Sequence, residues 1–504
     1  MPKFSVTVKW GKTRFTDLEL NTDESPQVFK AQLFALTSVP PERQRVLYKA
    51  MTLSETEWSA FSPHLRDGIT LMLLGTAAEI PKRPEATPEM AEAMELEQSG
   101  SMAIPRGIVN LGNTCYMNAT VQCLRTIPEL KEALRNFSPP TDPSLAPHDP
   151  TAQSLTVSLR NLFSFLDKTG DPLQPLLFLQ SLHAVVPTFA QKGPRGGLQQ
   201  QDAQECWIEI LRVIGGFLPS NKPAIDSNPL GRREGATATD CQSNMIEQYF
   251  SGLLKCSYTC KEADEPVTSS VEKFMSLQCY IEHDVRYIES GIRFGLKGEV
   301  DKPSASLGRN CVYTRSSLVG RLPGYLTVQV MRFDFGKYTS AVAGDEMVSR
   351  KILKDIKFTF NLDMFPFCTP ELQARLAPMR GRFKQLEDSR DEKKAGEIET
   401  EKGAEVPELP LPPEDPGSNN SGYYELIAVL THQGRSINSG HYVAWVRQEE
   451  EDWIKLDDDK IDQVDPATVL KLSGGGDNHI AYLLLYGSRS YELAAAAPRK
   501  KKKK

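Results

Sequence analysis

The chain has 504 residues, 40% hydrophobic and 25% charged, with 59 basic against 65 acidic side chains and a formal charge of −6. This is the profile of a soluble globular protein with length for several domains, or for one small domain beside one large one. The mild acidity argues against a general nucleic-acid binder, and no apolar run approaches the roughly 18 residues that span a bilayer. Met1-Pro2-Lys3-Phe4-Ser5 alternates where a secretory leader would run apolar. The expected setting is therefore cytoplasmic or nuclear, with neither membrane nor nucleic acid as partner. Nine cysteines, an odd and scattered set, fit reduced thiols.

Residues 1–76 read as a small unit of their own. Phe4, Val6, Val8 and Trp10 alternate as a half-buried strand does, Gly11-Lys12 turns the chain, and Leu18 and Leu20 continue the pattern on a return strand. Ser25-Pro26 then supplies a cap and a first-turn proline for a helix with Phe29, Leu33 and Leu36 on one face, ended by Pro40-Pro41. Val46-Leu47-Tyr48 and residues 69–74 give two further strands. The order strand, strand, helix, strand, strand predicts a β-grasp. This segment resembles ubiquitin, above all in Val39-Pro40-Pro41-Glu42-Arg43-Gln44-Arg45-Val46-Leu47-Tyr48 and Asp67-Gly68-Ile69-Thr70-Leu71-Met72-Leu73-Leu74. It ends Gly75-Thr76-Ala77 without the double glycine of a conjugated modifier, which suits a docking module.

Residues 77–103 carry Glu79, Glu85, Glu89, Glu92, Glu95 and Glu97 with almost nothing to bury, and read as an acidic flexible linker. Residues 104–489 read as one large domain interrupted by a polar, disordered insertion at about 387–421. Residues 490–504 form a basic tail ending in Arg499 and five lysines, Lys500 to Lys504.

The segment Gly107-Ile108-Val109-Asn110-Leu111-Gly112-Asn113-Thr114-Cys115 breaks the backbone just before a helix-compatible run. A cysteine at a helix N-terminus meets unpaired N–H groups and the positive end of the macrodipole, which favour thiolate. Taken alone, Cys115 reads equally well as a small buried apolar residue. In a second segment, Ser439-Gly440-His441-Tyr442-Val443-Ala444-Trp445, a glycine- and serine-containing loop runs into an alternating strand with His441 at the junction. A dozen residues later Trp453-Ile454-Lys455-Leu456-Asp457-Asp458-Asp459 ends a second strand in carboxylates. An antiparallel pair of these strands brings Asp457 to His441, where it can orient the imidazole.

Together with Gln200-Gln201-Asp202-Ala203-Gln204-Glu205 and the closing Ile480-Ala481-Tyr482-Leu483-Leu484-Leu485-Tyr486-Gly487, these segments resemble, in order and separation, the ubiquitin-specific protease family of cysteine deubiquitinases. The leading ubiquitin-like segment is similar to that of the family's proteasome-associated member. The resemblance implies an α+β fold: a β-grasp ubiquitin-like domain followed by a papain-like thumb, palm and fingers protease domain. It implies that Cys115 attacks the carbonyl of ubiquitin's terminal glycine, that His441 serves as base and then acid, that Asp457 holds His441, and that Asn110 stabilises the oxyanion. Asp458 remains the alternative carboxylate, or a support for the oxyanion, while Asn113 and Asn118 read as helix-start structure.

Asp202 and Glu205 are implied to engage arginines of ubiquitin's tail, against the reading of a polar helix start. Tyr442 and Tyr482 are implied to line the channel for that tail, or else are core aromatics. Many relatives carry zinc in the fingers, but Cys256, Cys260, Cys279 and Cys311 lack two close pairs, so neither metal nor cofactor is expected. The loops at 336–346 and 433–440 are expected to be mobile and to shade the cleft. The implied partners are ubiquitin, polyubiquitinated proteins, and the 26S proteasome regulatory particle through the ubiquitin-like domain. A non-catalytic ubiquitin receptor and a protease for another ubiquitin-like modifier remain the alternatives.

Overall fold

The computed structural model describes residues 3–75, 105–139, 149–220, 244–395 and 415–490, apart from short gaps inside these ranges. They gather into two compact units, an N-terminal one and a larger one that holds nearly all residues from 105 onward. The linker expected at 77–103 and the tail lie outside the described residues, as does 396–414 of the expected insertion.

In the N-terminal unit, β1 (Lys3–Trp10) pairs antiparallel with β2 (Thr13–Asn21) and parallel with β5 (Thr70–Leu74). Between them come α1 (Pro26–Thr37), β3 (Arg45–Tyr48) and a two-residue β4 (Met51–Thr52), too short to leave a periodic signal. The Ser25 hydroxyl accepts from the Gln27 backbone N–H at 3.3 Å, capping α1. Val6, Val8, Leu20, Phe29, Leu33, Val46, Leu71 and Leu73 form the core, the alternate residues of the strands meeting one face of the helix. The sheet order β2-β1-β5-β3-β4 fits a ubiquitin-like β-grasp.

The larger unit opens with helices α2 (Cys115–Leu124), α3 (Pro128–Asn136), α4 (Pro150–Leu166), α5 (Leu176–Val185) and α6 (Ala203–Gly215), the thumb. After α7 (Met245–Phe250) come β6 (Gly252–Cys260), β7 (Thr268–Phe274), β8 (Leu277–Cys279), α8 (Ile288–Gly295), β9 (Lys297–Pro303), β10 (Asn310–Arg321) and β11 (Tyr325–Val330). Strands β7-β6-β10-β9 make the four-stranded fingers sheet. The chain continues through β12 (Phe333–Ser340), β13 (Gly344–Lys351), β14 (Asn361–Asp363), α9 (Pro370–Ala395), β15 (Tyr423–Ser436), β16 (Ser439–Glu449), β17 (Asp452–Asp457), β18 (Lys460–Val464), α10 (Pro466–Leu470) and β19 (Ile480–Ser488). The palm sheet runs β18-β17-β16-β15-β19-β11-β8, with β14 on β15. Among the described residues, no helix is long and apolar enough to cross a membrane.

Two boundaries differ from the sequence reading. Of the insertion expected at about 387–421, residues up to Ala395 continue α9, and on the far side Asp415 pairs with Arg321 at 2.6 Å. The segment 336–346, read as a small polar loop, is mostly hairpin: β12 and β13 pair from Phe333–Lys351 to Ser340–Gly344.

Arg332, 1% exposed, knots the palm together. Its guanidinium donates to the carbonyls of Ala481 (3.2 Å), Ile352 (3.3 Å), Ser473 (2.7 Å) and Lys354. Burial lowers its pKa to about 10, leaving it charged at neutral pH. Replacing Arg332 by Met removes four hydrogen bonds, two of them to the buried carbonyls of Ala481 and Ser473, and a buried polar group that loses its partner costs about 1–3 kcal/mol. We expect Arg332→Met to lower the thermal midpoint of the larger unit by several degrees, measured by calorimetry, whereas a surface control such as Lys384→Met leaves it within a degree.

Candidate active site

The loop before α2 is folded by its own side chains. Asn110 Oδ1 accepts from the backbone N–H groups of Gly112 (2.9 Å) and Thr114 (3.2 Å), and Leu111 N donates to Thr114 Oγ1 at 2.9 Å. This turn delivers Cys115 as the first residue of α2, 2% exposed, at the end where N–H groups lack helical partners. All ten residues of α2 are buried, so its polar members find fixed partners: Thr120 Oγ1 donates to Tyr116 O at 2.8 Å and Gln122 Nε2 to Arg106 O at 2.9 Å.

Strands β16 and β17 run antiparallel, with Ala444 opposite Leu456. This register brings His441 Nε2 to 2.6 Å from Asp457 Oδ1. With Nε2 committed to the carboxylate, the other ring nitrogen is left for the sulfur of Cys115, which neighbours the imidazole. The Asp457 hydrogen bond and, after it, Cys115 raise the His441 pKa to about 10. Asp457 is held well below the usual carboxylate range, first by His441 and then by Lys455. Because the folded value of His441 lies above its ordinary 6.5, the stabilisation from this contact is complete below that pH and is lost as pH rises toward 10.

Asp458 does not take the place of Asp457: its Oδ2 lies 4.0 Å from His441 Nε2. Its carboxylate instead accepts from Asn110 Nδ2 at 2.9 Å and Asn118 Nδ2 at 2.8 Å. Asn113 belongs to the helix start, with a φ of 56° and a hydrogen bond from its amide to Leu198 O at 2.8 Å. Asn118, read as helix start too, lies a turn inside α2 and reaches across to Asp458, which its sequence position gave no way to foresee.

Asp202 caps α6, its Oδ1 accepting from Gln204 N (2.8 Å) and Glu205 N (2.9 Å), while Oδ2 accepts from the Tyr482 hydroxyl at 2.7 Å. Burial raises its proton affinity against these donors. Its oxygens are therefore already engaged within the fold. Glu205 is exposed at the same helix start and open to a basic ligand. Tyr442 and Tyr482 are 1% and 3% exposed with ring centroids 6.2 Å apart, so both are enclosed in this conformation. Phe333 at the root of β12 packs edge-on against Tyr482, which is what encloses it.

The cysteines weighed for zinc do not fit a tetrahedral site. Cys256 Sγ is taken by Ser317 Oγ at 3.2 Å, and Cys279 sits on β8 in the palm sheet rather than the fingers. Among the described residues, the one grouping of three or more potential ligands is His441, Asp457 and Asp458.

The chain matches the family model described as ubiquitin carboxyl-terminal hydrolase over residues 106–486. The chain belongs to the ubiquitin carboxyl-terminal hydrolase family. It is 37% identical to ubiquitin carboxyl-terminal hydrolase 7 of Arabidopsis thaliana, over 96% of this chain and 99% of the relative. Ubiquitin carboxyl-terminal hydrolase 6 of Schizosaccharomyces pombe is 35% identical over 96% and 98%, and ubiquitin carboxyl-terminal hydrolase 14 of Caenorhabditis elegans 34% over 96% and 93%. The family is one of cysteine peptidases acting on ubiquitin.

Sequence reasoning missed two residues of this site. Gln200 Oε1 accepts from Gly440 N at 2.8 Å and so fixes the backbone leading into His441; no spacing rule points to it. Lys455 Nζ lies 2.7 Å from Asp457 Oδ2, and here the signal existed, since residues two apart on a strand share a face. Lys455 is a positioning residue that tethers the oxygen His441 does not use and offsets part of the carboxylate's charge. We expect Lys455→Met to raise the His441 titration and cut kcat about tenfold, equivalent to about 1.4 kcal/mol, with KM unchanged and Lys455→Arg near wild type. The pH–rate profile of ubiquitin–rhodamine hydrolysis reads both.

Proposed function

We propose that this protein is a proteasome-associated deubiquitinase that hydrolyses the bond after the terminal glycine of ubiquitin, recycling ubiquitin and regulating protein degradation. The observation that carries the reading is the contact chain from Cys115 through His441 to Asp457, at 2.6 Å in its last link, with Asn110 beside it.

The chemistry follows from these groups. Cys115 sulfur attacks the glycine carbonyl carbon, and its proton resides on His441, whose charged form Asp457 stabilises. The carbonyl oxygen becomes an oxyanion. Asn110 Nδ2 spends one hydrogen on Asp458, leaving the other for that oxygen, together with backbone N–H groups at the start of α2. The C–N bond breaks as His441 returns its proton to the departing lysine amine, giving a thioester. Water, deprotonated by His441, then attacks the thioester carbonyl; the C–S bond breaks, Cys115 leaves as thiolate beside the protonated His441, and ubiquitin departs with a free carboxylate.

Docking on the proteasome is assigned to the N-terminal unit. Its sheet exposes Met72 and Leu74, 48% and 47% accessible, an apolar row suited to a protein surface. The cytoplasm and nucleus are the compartments where such a partner is met. The enclosure of Cys115, Tyr442 and Tyr482 supports a free enzyme of low activity that opens on docking.

We expect ubiquitin carrying a C-terminal electrophile to label Cys115 slowly in the free chain and faster with purified proteasome, and Cys115→Ala to take no label. Absence of labelling under both conditions would move the reading to a non-catalytic ubiquitin receptor. Asn110→Ala should reduce kcat by about 100- to 1,000-fold while leaving ubiquitin binding intact, measured by steady-state kinetics beside calorimetric titration with ubiquitin.

A further inference from the structure

Away from the cleft, α3 and α4 line a half-open pocket of about 240 Å³, four of whose eight lining residues are cationic. Lys131 and Arg135 project into it from α3, Arg160 from α4, and Lys168 from just beyond the end of α4, over a floor of Leu134 and Phe163. The one acid in the wall is Asp167, already shared between Arg125 and Lys131, the latter at 2.8 Å.

The other carboxylates of α3 point elsewhere. Glu129 accepts from the Tyr325 hydroxyl, and Glu132 faces Tyr249. Lys131 and Arg135, four residues apart, share the opposite face. Among the described residues, Arg135, Arg160 and Lys168 pair with no carboxylate: Arg160 donates to Phe137 O at 2.7 Å and to the Asn161 side chain, and the Lys168 ammonium lies over the Phe165 ring at 5.4 Å. Four cations converging with one neutralised acid repel one another unless an anion joins them.

We propose that this groove binds a phosphate group. The Arg135 guanidinium matches phosphate oxygens in geometry as well as charge, and Arg160, whose guanidinium already donates to Phe137 O and Asn161 Oδ1, adds its charge beside it. The pocket, about 240 Å³ and open to solvent on one side, has room for one or two phosphate groups. The phosphate can come from a phosphorylated protein side chain or from a small polyphosphate, the chemistry of recognition being shared.

The test is calorimetric titration of the full chain at low ionic strength with pyrophosphate, inositol hexakisphosphate, and a phosphoserine peptide beside its unphosphorylated twin. The comparison proteins are the double variant Arg135→Ser with Lys168→Ser, and a variant with Lys500 to Lys504 replaced by Ser, because that tail also attracts polyanions. The groove binds phosphate if at least one phosphorylated ligand binds, the groove variant weakens it tenfold or more, and the tail variant does not. Which ligand binds most tightly identifies the source. Both variants should retain full ubiquitin hydrolysis, showing that they fold. Binding that survives in the groove variant, disappears with the tail, fails for every phosphorylated ligand, or is equal for the unphosphorylated peptide overturns the proposal.

Discussion

Asp458 ties together the three stretches of chain on which the site depends. Its backbone carbonyl accepts from Ile108 N at 2.8 Å, and its carboxylate grips Asn110 and Asn118. The loop before Cys115, the helix that follows it and the strand pair carrying His441 and Asp457 are thus joined at one residue, although some 340 positions separate them in sequence. The two-residue turn from Asp457 to Lys460 that presents it requires a φ of 56° at Asp458, a conformation aspartate tolerates better than most residues. Gly107 answers the same constraint from the other side, since a Cβ there would stand 2.5 Å from Asp459 O. Burial makes the carboxylate easier to protonate while the two asparagines oppose that, so each of the three contacts supports the others.

Three imidazoles crowd this end of the palm, and their surroundings decide which one carries charge. His479, 6.0 Å from His441 between ring centroids, is lowered to about 4 by burial and by His441 itself. His432 is lowered to about 3, by burial and by Lys351. Only His441 has a carboxylate in hydrogen-bond contact, and only His441 is raised. The proton is therefore confined to the imidazole next to Cys115, and its neutral neighbours cannot compete for it at physiological pH.

What was legible in the sequence and what was not divide along physical lines. The strand pairing of 439–449 with 452–457 follows from alternation and a polar turn, and with it the approach of Asp457 to His441. The apolar face of α6, from Ala203 to Ile214, follows from helical period and is buried throughout. Contacts set by tertiary placement left no local trace: Asn118 reads as any polar helix residue until Asp458 is brought opposite it. The aromatic pair Tyr442 and Tyr482 was ambiguous for the same reason, because burial depends on Phe333 and His432, which arrive from other strands. Composition misled where small and polar residues at 336–346 and 433–440 suggested loops and backbone pairing makes hairpins, β12 with β13 and the ends of β15 and β16.

That hairpin is rooted in the enclosure of the cleft. At the start of β12, Phe333 packs edge-on against both His432 and Tyr482. At the end of β13, Lys351 donates to His432 O at 2.5 Å and meets His432 Nδ1 at 2.9 Å. His432 in turn lies opposite Tyr442 on β16 and against Gly440, where a Cβ would come within 2.4 Å of its Nε2. Gly440 immediately precedes His441, so both roots of the hairpin and the backbone of the imidazole loop converge on one buried, neutral histidine. Close-packed groups of this kind shift together or not at all, and a movement of β12 and β13 that uncovers Tyr482 must therefore also disturb the seat of Gly440. Phe333, Lys351, Tyr442 and Gly440 thus all pack on His432, and the backbone leading into His441 takes its position from that packing.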